Sequence, residues 1–297
     1  SRITDASGTI DYAYTPNGKL ASETRALNGV AYVTAYSYDT VSRLQSVTYP
    51  SGRVVTYAYD PMGRIAGIAA VKGGITKGIA SDITYQPFGG VKSFVNGANR
   101  TITRNFDLDG RIASYTLGGR AHALTYDAAS RITLLWDTAN VATTHNYGYD
   151  GLDRLTTYTG PMNSQSLQYD AVGNRTQQQV GSTLNGYSYG ATSNRLTQIT
   201  GSQTRVYQAD ANGSTVHNGI NQFSYDAKGR MTSAVTTIGN VSYTVNALGQ
   251  RVIKNAPAGA TVYHYDARGQ LIGESTAQGV FQKEYVYLGD IPVALFQ

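Results

Sequence analysis

Six times along the chain an aspartate and an arginine stand four residues apart, at Asp39/Arg43, Asp60/Arg64, Asp107/Arg111, Asp127/Arg131, Asp150/Arg154 and Asp226/Arg230. A carboxylate can serve as a general acid or base, and clustered carboxylates can hold a cation. Each of these, however, has a guanidinium at the same offset, which keeps the acid ionised and engaged. The four histidines, His122, His145, His217 and His264, share no metal-ligand spacing and accompany no nucleophile motif, so each is read as structural. Asp107-Leu108-Asp109-Gly110 and Asp210-Ala211-Asn212-Gly213 resemble calcium loops in outline, but they are too short and lack the closing Glu. Turn chemistry accounts for both. No catalytic, metal or cofactor site is expected, and the chain is read as non-enzymatic.

The ion pairs belong to a longer phrase, Tyr-Asp-x-x-Gly-Arg-Leu/Ile, which recurs about every twenty residues. Its parts are Tyr38, Asp39 and Arg43; Tyr59, Asp60, Gly63 and Arg64; Phe106, Asp107, Gly110 and Arg111; Tyr126, Asp127 and Arg131; and Tyr149, Asp150 and Arg154. It continues in Tyr169, Asp170 and Gly173, in Tyr225, Asp226, Gly229 and Arg230, and in Tyr265, Asp266 and Gly269. Leading rings at Tyr14, Tyr85, Tyr189 and Tyr287, with degenerate units around Asp210 and Asn246, bring the array to about fourteen units.

In Asp60-Pro61-Met62-Gly63 the residue order is that of a type I turn closed by a left-handed glycine, a three-residue hairpin loop. Such a loop makes Asp60 and Arg64 the cross-strand pair beside the turn and sets Tyr59 opposite Ile65. Alternation then lines up the rings of Tyr12/Tyr14, Tyr36/Tyr38, Tyr57/Tyr59, Tyr147/Tyr149, Tyr187/Tyr189, Tyr263/Tyr265 and Tyr285/Tyr287 as a stripe on one face, with His264 on the other. An apolar residue three positions after the motif Leu, as in Leu44/Val47 and Leu196/Ile199, breaks strict alternation and suggests a bulge. Asn28-Gly29, Asn96-Gly97, Asn185-Gly186 and Asn218-Gly219 mark a second class of turn between β-forming runs. A helical reading of the Asp/Arg spacing fails, because Gly, Pro and Asn punctuate each window and Tyr, Thr and Val dominate it. The fold class expected is all-β, an array of antiparallel hairpins forming a spiralling β-strip or shell.

No linker, charge block or composition shift interrupts the period, so residues 1–297 are read as one array. Twenty-four Tyr against 6 Phe and 1 Trp select rings with a polar handle, suited to a thin, half-wet β-layer. Trp136 is expected in a local core or interior wall. The formal charge is +5, but much of the arginine sits opposite aspartate, and no Lys/Arg run tracks a phosphate backbone, so no nucleic-acid partner is expected. Cysteine is absent, which excludes disulfides and thiolate metal sites. The longest apolar run, around Ile65 to Val71, is too short for a membrane span. Ser1-Arg2-Ile3 matches the Gly-Arg-Ile stub of a preceding unit, so the chain is read as a section of a longer array.

With these residues the chain resembles the YD-repeat, or Rhs, family, which includes bacterial Rhs proteins, shell components of insecticidal toxin complexes and the extracellular part of teneurins. The resemblance covers nearly the whole chain. Tyr285-Val286-Tyr287-Leu288-Gly289-Asp290-Ile291-Pro292-Val293-Ala294 is similar to the segment leading out of the repeats toward an Rhs core. The resemblance implies a hollow β-shell, often enclosing a toxic domain, and a bacterial protein that is secreted or displayed at the cell surface. The Asp-Pro-x-Gly-Leu signature that ends such cores is missing, since Asp60-Pro61-Met62-Gly63 continues with Arg64 inside a repeat. The partners expected are flanking repeats or further copies of the chain at the open sheet edges, and an enclosed toxin domain. The alternative is a self-assembling extracellular filament or surface adhesin whose Tyr stripe stacks on glycans.

Overall fold

Each motif closes a hairpin of the kind its residue order dictates. Asp60 N–H donates to the Arg64 carbonyl at 2.8 Å, Gly63 N–H donates to the Asp60 carbonyl at 2.9 Å, and Gly63 takes a φ of +79°. A computed structural model describes residues 1–87 and 89–297 of the chain. The same pair of backbone bonds closes the loops at Asp39, Asp107, Asp127, Asp150, Asp170, Asp210, Asp226, Asn246 and Asp266. Where glycine is missing from the left-handed position, Ser42, Ser130 and Asp153 occupy it at φ of 67°, 63° and 62°. Polar side chains that tolerate this region are the natural substitutes.

The bulge falls where the apolar spacing placed it. Tyr38 pairs with Leu44 but Ser37 with Ser46, and Tyr189 pairs with Leu196 but Ser188 with Gln198, leaving one extra residue just past each motif Leu. The added residue resets alternation, so that the leading Tyr and the later apolar residue share a face. Among the described residues there are only strands and turns, thirty strands in all, and the pairings are antiparallel between chain neighbours.

The second class of turn was only partly legible. Asn28-Gly29 is a two-residue turn with φ of 51° and 79° between Leu20–Leu27 and Val30–Tyr38, as expected. Asn96-Gly97 instead opens a loop of the motif kind, in which Asn96 N–H donates to the Arg100 carbonyl at 2.9 Å. Asn185-Gly186 lies within the strand Thr183–Tyr189, and the chain turns at Gly181. Gly186 is needed there for space, since a Cβ would stand 2.9 Å from Thr200 Oγ1 across the ladder. Asn218 instead flanks a turn over Gly219 and Ile220, its N–H donating to the Asn221 carbonyl at 3.2 Å.

The chain divides into two compact units, residues 1–100 with 225–297, and residues 101–224. The first unit packs two runs of hairpins against each other. From the N-terminal run, the Tyr face turns inward and buries Tyr32, Val47, Tyr49, Val55 and Ile68. From the C-terminal run the opposite face turns inward, with Val262, His264, Val286 and Leu288 buried. Aliphatic placement decides this, because Val262, Val286 and Leu288 flank the Tyr positions on the C-terminal run where the small or polar Ser37, Thr56 and Ala58 do so on the N-terminal one. Leu27, Tyr32, Val252, Ile253 and Val262 form the contact cluster.

Residues 101–224 form a single layer. Only Asp137 and Leu167 of the described residues there are buried. Trp136 lies half-buried across from Ala123, among the short side chains opposite the rings, and not in a core.

Backbone conformation, and not contact, sets the loop glycine. A Cβ on Gly110, at φ +78°, would meet nothing within 4 Å. Gly110→Val should therefore cost about 1–2 kcal/mol through the left-handed penalty alone, while Ser42→Gly, at the equivalent position, should cost nothing. Urea denaturation of the two variants decides it, and an equal loss from both would mean that side-chain packing governs the loop.

Candidate functional site

The recurring site is the junction between one loop and the next. Within a loop, the Asp Oδ1 accepts the N–H groups two and four residues on, as Asp150 does from Leu152 at 2.9 Å and Arg154 at 3.0 Å. The other oxygen takes the arginine Nε at 2.7–2.8 Å in the units of Asp39, Asp60, Asp107, Asp127, Asp150 and Asp226. The carboxyls of Asp60, Asp127 and Asp226 are held below the ordinary carboxylate range. The backbone N–H of Arg64, Arg131 and Arg230 lowers them first, and the guanidinium adds to it against desolvation. None is poised to exchange a proton near neutrality.

The arginine then reaches the next unit. Arg43, Arg64, Arg111, Arg131 and Arg154 lie over the rings of Tyr59, Tyr85, Tyr126, Tyr149 and Tyr169 at 4.5–4.9 Å. Each contact is a cation–π stack of a partly desolvated guanidinium. Arg131 and Arg154 also donate Nη1 to the carbonyls of Asp150 and Asp170 at 3.1 and 3.0 Å.

The tyrosine reaches back. Its hydroxyl donates to a backbone carbonyl just past the preceding loop: Tyr38 to Leu20, Tyr59 to Leu44, Tyr126 to Ile112, Tyr149 to Ile132 and Tyr169 to Leu155, at 2.7–3.0 Å. Tyr85, Tyr189, Tyr265 and Tyr287 do the same to Ile65, Arg175, Arg251 and Leu271. The carbonyls belong to the bulge region, where the ladder leaves acceptors to be filled.

The departures are local repairs. Asn174 replaces arginine and gives Asp170 an amide donor at 2.9 Å, while Arg175 stacks on Tyr187 at 4.3 Å. In the unit of Tyr265, Gln270 stands in and reaches the Gly289 carbonyl at 2.8 Å. Phe106 fills the ring position without a hydroxyl. Loops at Tyr49–Arg53 and Thr276–Val280 were missed by the motif because the acid is replaced, although Gly52 and Gly279 still carried the turn signal.

In the first unit a second set of contacts ties the two runs together. Glu284 accepts from Arg53 Nη2 and Lys72 Nζ, both at 3.0 Å, and from Ser51. Burial works against its ionisation, but these donors outweigh it and hold the carboxyl below its usual value. Tyr49 donates to the Tyr285 carbonyl at 2.8 Å, and Tyr36 accepts the Ala267 N–H at 2.8 Å. His264 is 2% exposed, sits between Tyr32 and Phe281 at 4.4 and 4.7 Å, and shares a hydrogen bond with Ser275 at 2.8 Å. Burial, and then nearby Arg25, push it from 6.5 down to about 4. Among the described residues no His, Asp or Glu group forms a metal-holding cluster. The histidines stand apart from one another in this sense, with His122 stacked on Tyr115 at 5.3 Å and His145 bonded to the Tyr158 hydroxyl at 2.8 Å.

A sequence profile described as Teneurin YD-shell matches residues 95–262, and one described as RHS repeat matches residues 14–53 and 38–75. No curated protein matches the chain. Among solved structures, the Tc holotoxin pore of Photorhabdus luminescens is similar over 99% of this chain and 20% of its own, with 14% identity and a TM-score of 0.74. The TcdB2-TccC3 structure is similar over 96% of this chain and 18% of its own, with 14% identity and a TM-score of 0.64. The chain thus spans about a fifth of the length of the structures it matches, and at this identity they show a shared fold.

Because the unfolded state takes up the His264 proton near pH 6.5 and the folded state only near pH 4, stability present above pH 6.5 is lost as pH falls through that window. The loss should reach about 3 kcal/mol and begin before the carboxylates titrate. Denaturant titrations at pH 7, 5.5 and 4.5 should show it in the native chain, and His264→Phe should flatten the slope between pH 7 and 5.5. An unchanged slope would place the proton uptake elsewhere.

Proposed function

The chain belongs to the Teneurin YD-shell family, and from that premise we propose that it is a non-enzymatic section of a β-shell whose task is to wall off an enclosed domain, in the manner of Rhs-type toxin carriers. The observation that carries this reading is the junction itself. Asp, Arg and Tyr are spent, unit after unit, on holding a strip of hairpins together. A wall of identical junctions has no privileged position, which suits enclosure better than turnover.

Two further observations support it. The acids are hydrogen-bonded below the range of a useful proton donor. One of the structures whose fold it shares is a Tc holotoxin pore. On this reading the protein acts outside a bacterial cell, and its partners are neighbouring repeats and an enclosed toxin or effector domain.

Limited proteolysis of the native protein that contains these repeats tests the proposal. An enclosed domain should resist protease at neutral pH and become cleavable together with the wall once the wall is unfolded. A non-repeat domain digested as fast in the native protein as after unfolding would remove enclosure from the account.

A further inference from the structure

In the first unit, the inward face of the N-terminal run ends in positive charge. Register puts Ala70 and Lys72 on one side of the strand Ile65–Lys72, and pairs Ala70 with Lys77 and Lys72 with Ile75 across the turn at Gly73 and Gly74. Ala70 is 1% exposed, whereas Lys72, Ile75 and Lys77, on the same face, are open to solvent. Arg53 stands two residues before the buried Val55, shares its face, and is 8% exposed. From the C-terminal run, Glu284 and its cross-strand partner Phe296 meet this end of the face. Arg53, Lys72, Ile75, Lys77 and Phe296 line a cleft of about 250 Å³.

Three cationic side chains share one acid there. Glu284 accepts from Arg53 Nη2 and Lys72 Nζ with the same oxygen, both at 3.0 Å. Among the described residues Lys77 has no acidic partner, and its Nζ stands 5.9 Å from the centre of the Phe296 ring. The Arg53 guanidinium is fixed flat against that ring at 3.6 Å. Its Nε is buried with no hydrogen-bond partner, and its Nη1 donates to nothing. A wholly exposed lysine is satisfied by water, but a guanidinium that is nine-tenths buried and half-paired is not.

We propose that this cleft is an anion-binding site, taking the carboxylate or phosphate group of a small ligand whose apolar part rests on Ile75 and Phe296. Arginine supplies the fixed fork and the two lysines the mobile charge that such groups require. The volume suits a ligand of one ring and one anionic group, being smaller than that of most drug-sized sites. The site does not depend on whether the shell encloses a domain.

Isothermal titration calorimetry of the full chain with phenyl phosphate and with phenylacetate, at fixed ionic strength, is the test. Saturable binding of at least one is expected, and the tighter of the two identifies the oxyanion. Inorganic phosphate and acetate, which lack the ring, should bind more weakly than their phenyl counterparts. Lys77→Gln breaks no hydrogen bond or ion pair of the structure and should leave the melting curve unchanged. It should weaken binding by about tenfold or more, the order of one hydrogen bond between charged groups. Lys228→Gln, in the loop of Asp226, should leave the affinity as it was. No saturable heat from either phenyl probe would overturn the proposal, as would an affinity indifferent to Lys77→Gln or lowered equally by Lys228→Gln.

Discussion

Everything in this chain depends on a tie between neighbours in which arginine faces forward and tyrosine faces back. Arg131 pairs with its own Asp127, stacks on the ring of Tyr149 and bonds the Asp150 carbonyl. Tyr149 in turn donates to Ile132, the residue directly after Arg131. Any one of these contacts is weak, since exposed ion pairs contribute about 0–1 kcal/mol and a neutral hydrogen bond roughly 0.5–1.5 kcal/mol. Their value is that they are shared. No hairpin can shift without disturbing the loop on either side, so stability becomes a sum over junctions and not a property of one core. Replacing arginine by lysine would keep the charge and lose both the fork and the planar stack.

The same tie leaves the two faces of the strip free to vary, and the two units use that freedom differently. In residues 1–100 with 225–297, aliphatics were placed to bury one run on another, and the packing then had to accommodate charge. Glu284 is met by Arg53 and Lys72, and Glu23 by Arg25, which also reaches Gln250 at 2.7 Å. Pairing only offsets the desolvation such groups incur, so their net contribution is small, but any other register of the two runs would part Glu284 from Arg53 and Lys72, and Arg25 from Gln250. They select the docking of the runs more than they strengthen it. In residues 101–224 no such charges are buried beyond Asp137, in keeping with a layer that has no second run to be aligned with.

The sequence carried the hairpin loop, the cross-strand ion pair, the side each tyrosine points to and the bulge after the motif Leu, because all of these are local. Asp60-Pro61-Met62-Gly63 contains its turn type in four letters. What it carried poorly was anything decided across strands. Asn185-Gly186 reads as a hairpin turn, yet its glycine answers to Thr200 on the neighbouring strand. Tyr49–Arg53 closes a loop with a tyrosine where the acid should be, because burial at the junction of two runs outweighs the missing carboxylate. The inward face could not be read from the tyrosines at all. It follows them in one run and opposes them in the other, and the deciding residues are Val262, Val286 and Leu288.

That independence of tie and face bears on what such a strip can do. A catalytic site needs a group whose protonation or position is singular, and every motif residue here is held by partners that recur one unit away. The singular residues lie elsewhere, at His264 and Glu284, and both are closed off. His264 is enclosed by Tyr32, Phe281 and Ser275, and Glu284 accepts from three donors. Their chemistry is directed at keeping the two runs together near neutral pH and loosening them in acid, since a protonated His264 would face Arg25 without solvent to separate them. The strip is therefore continuous where its repeats agree and conditional where they differ.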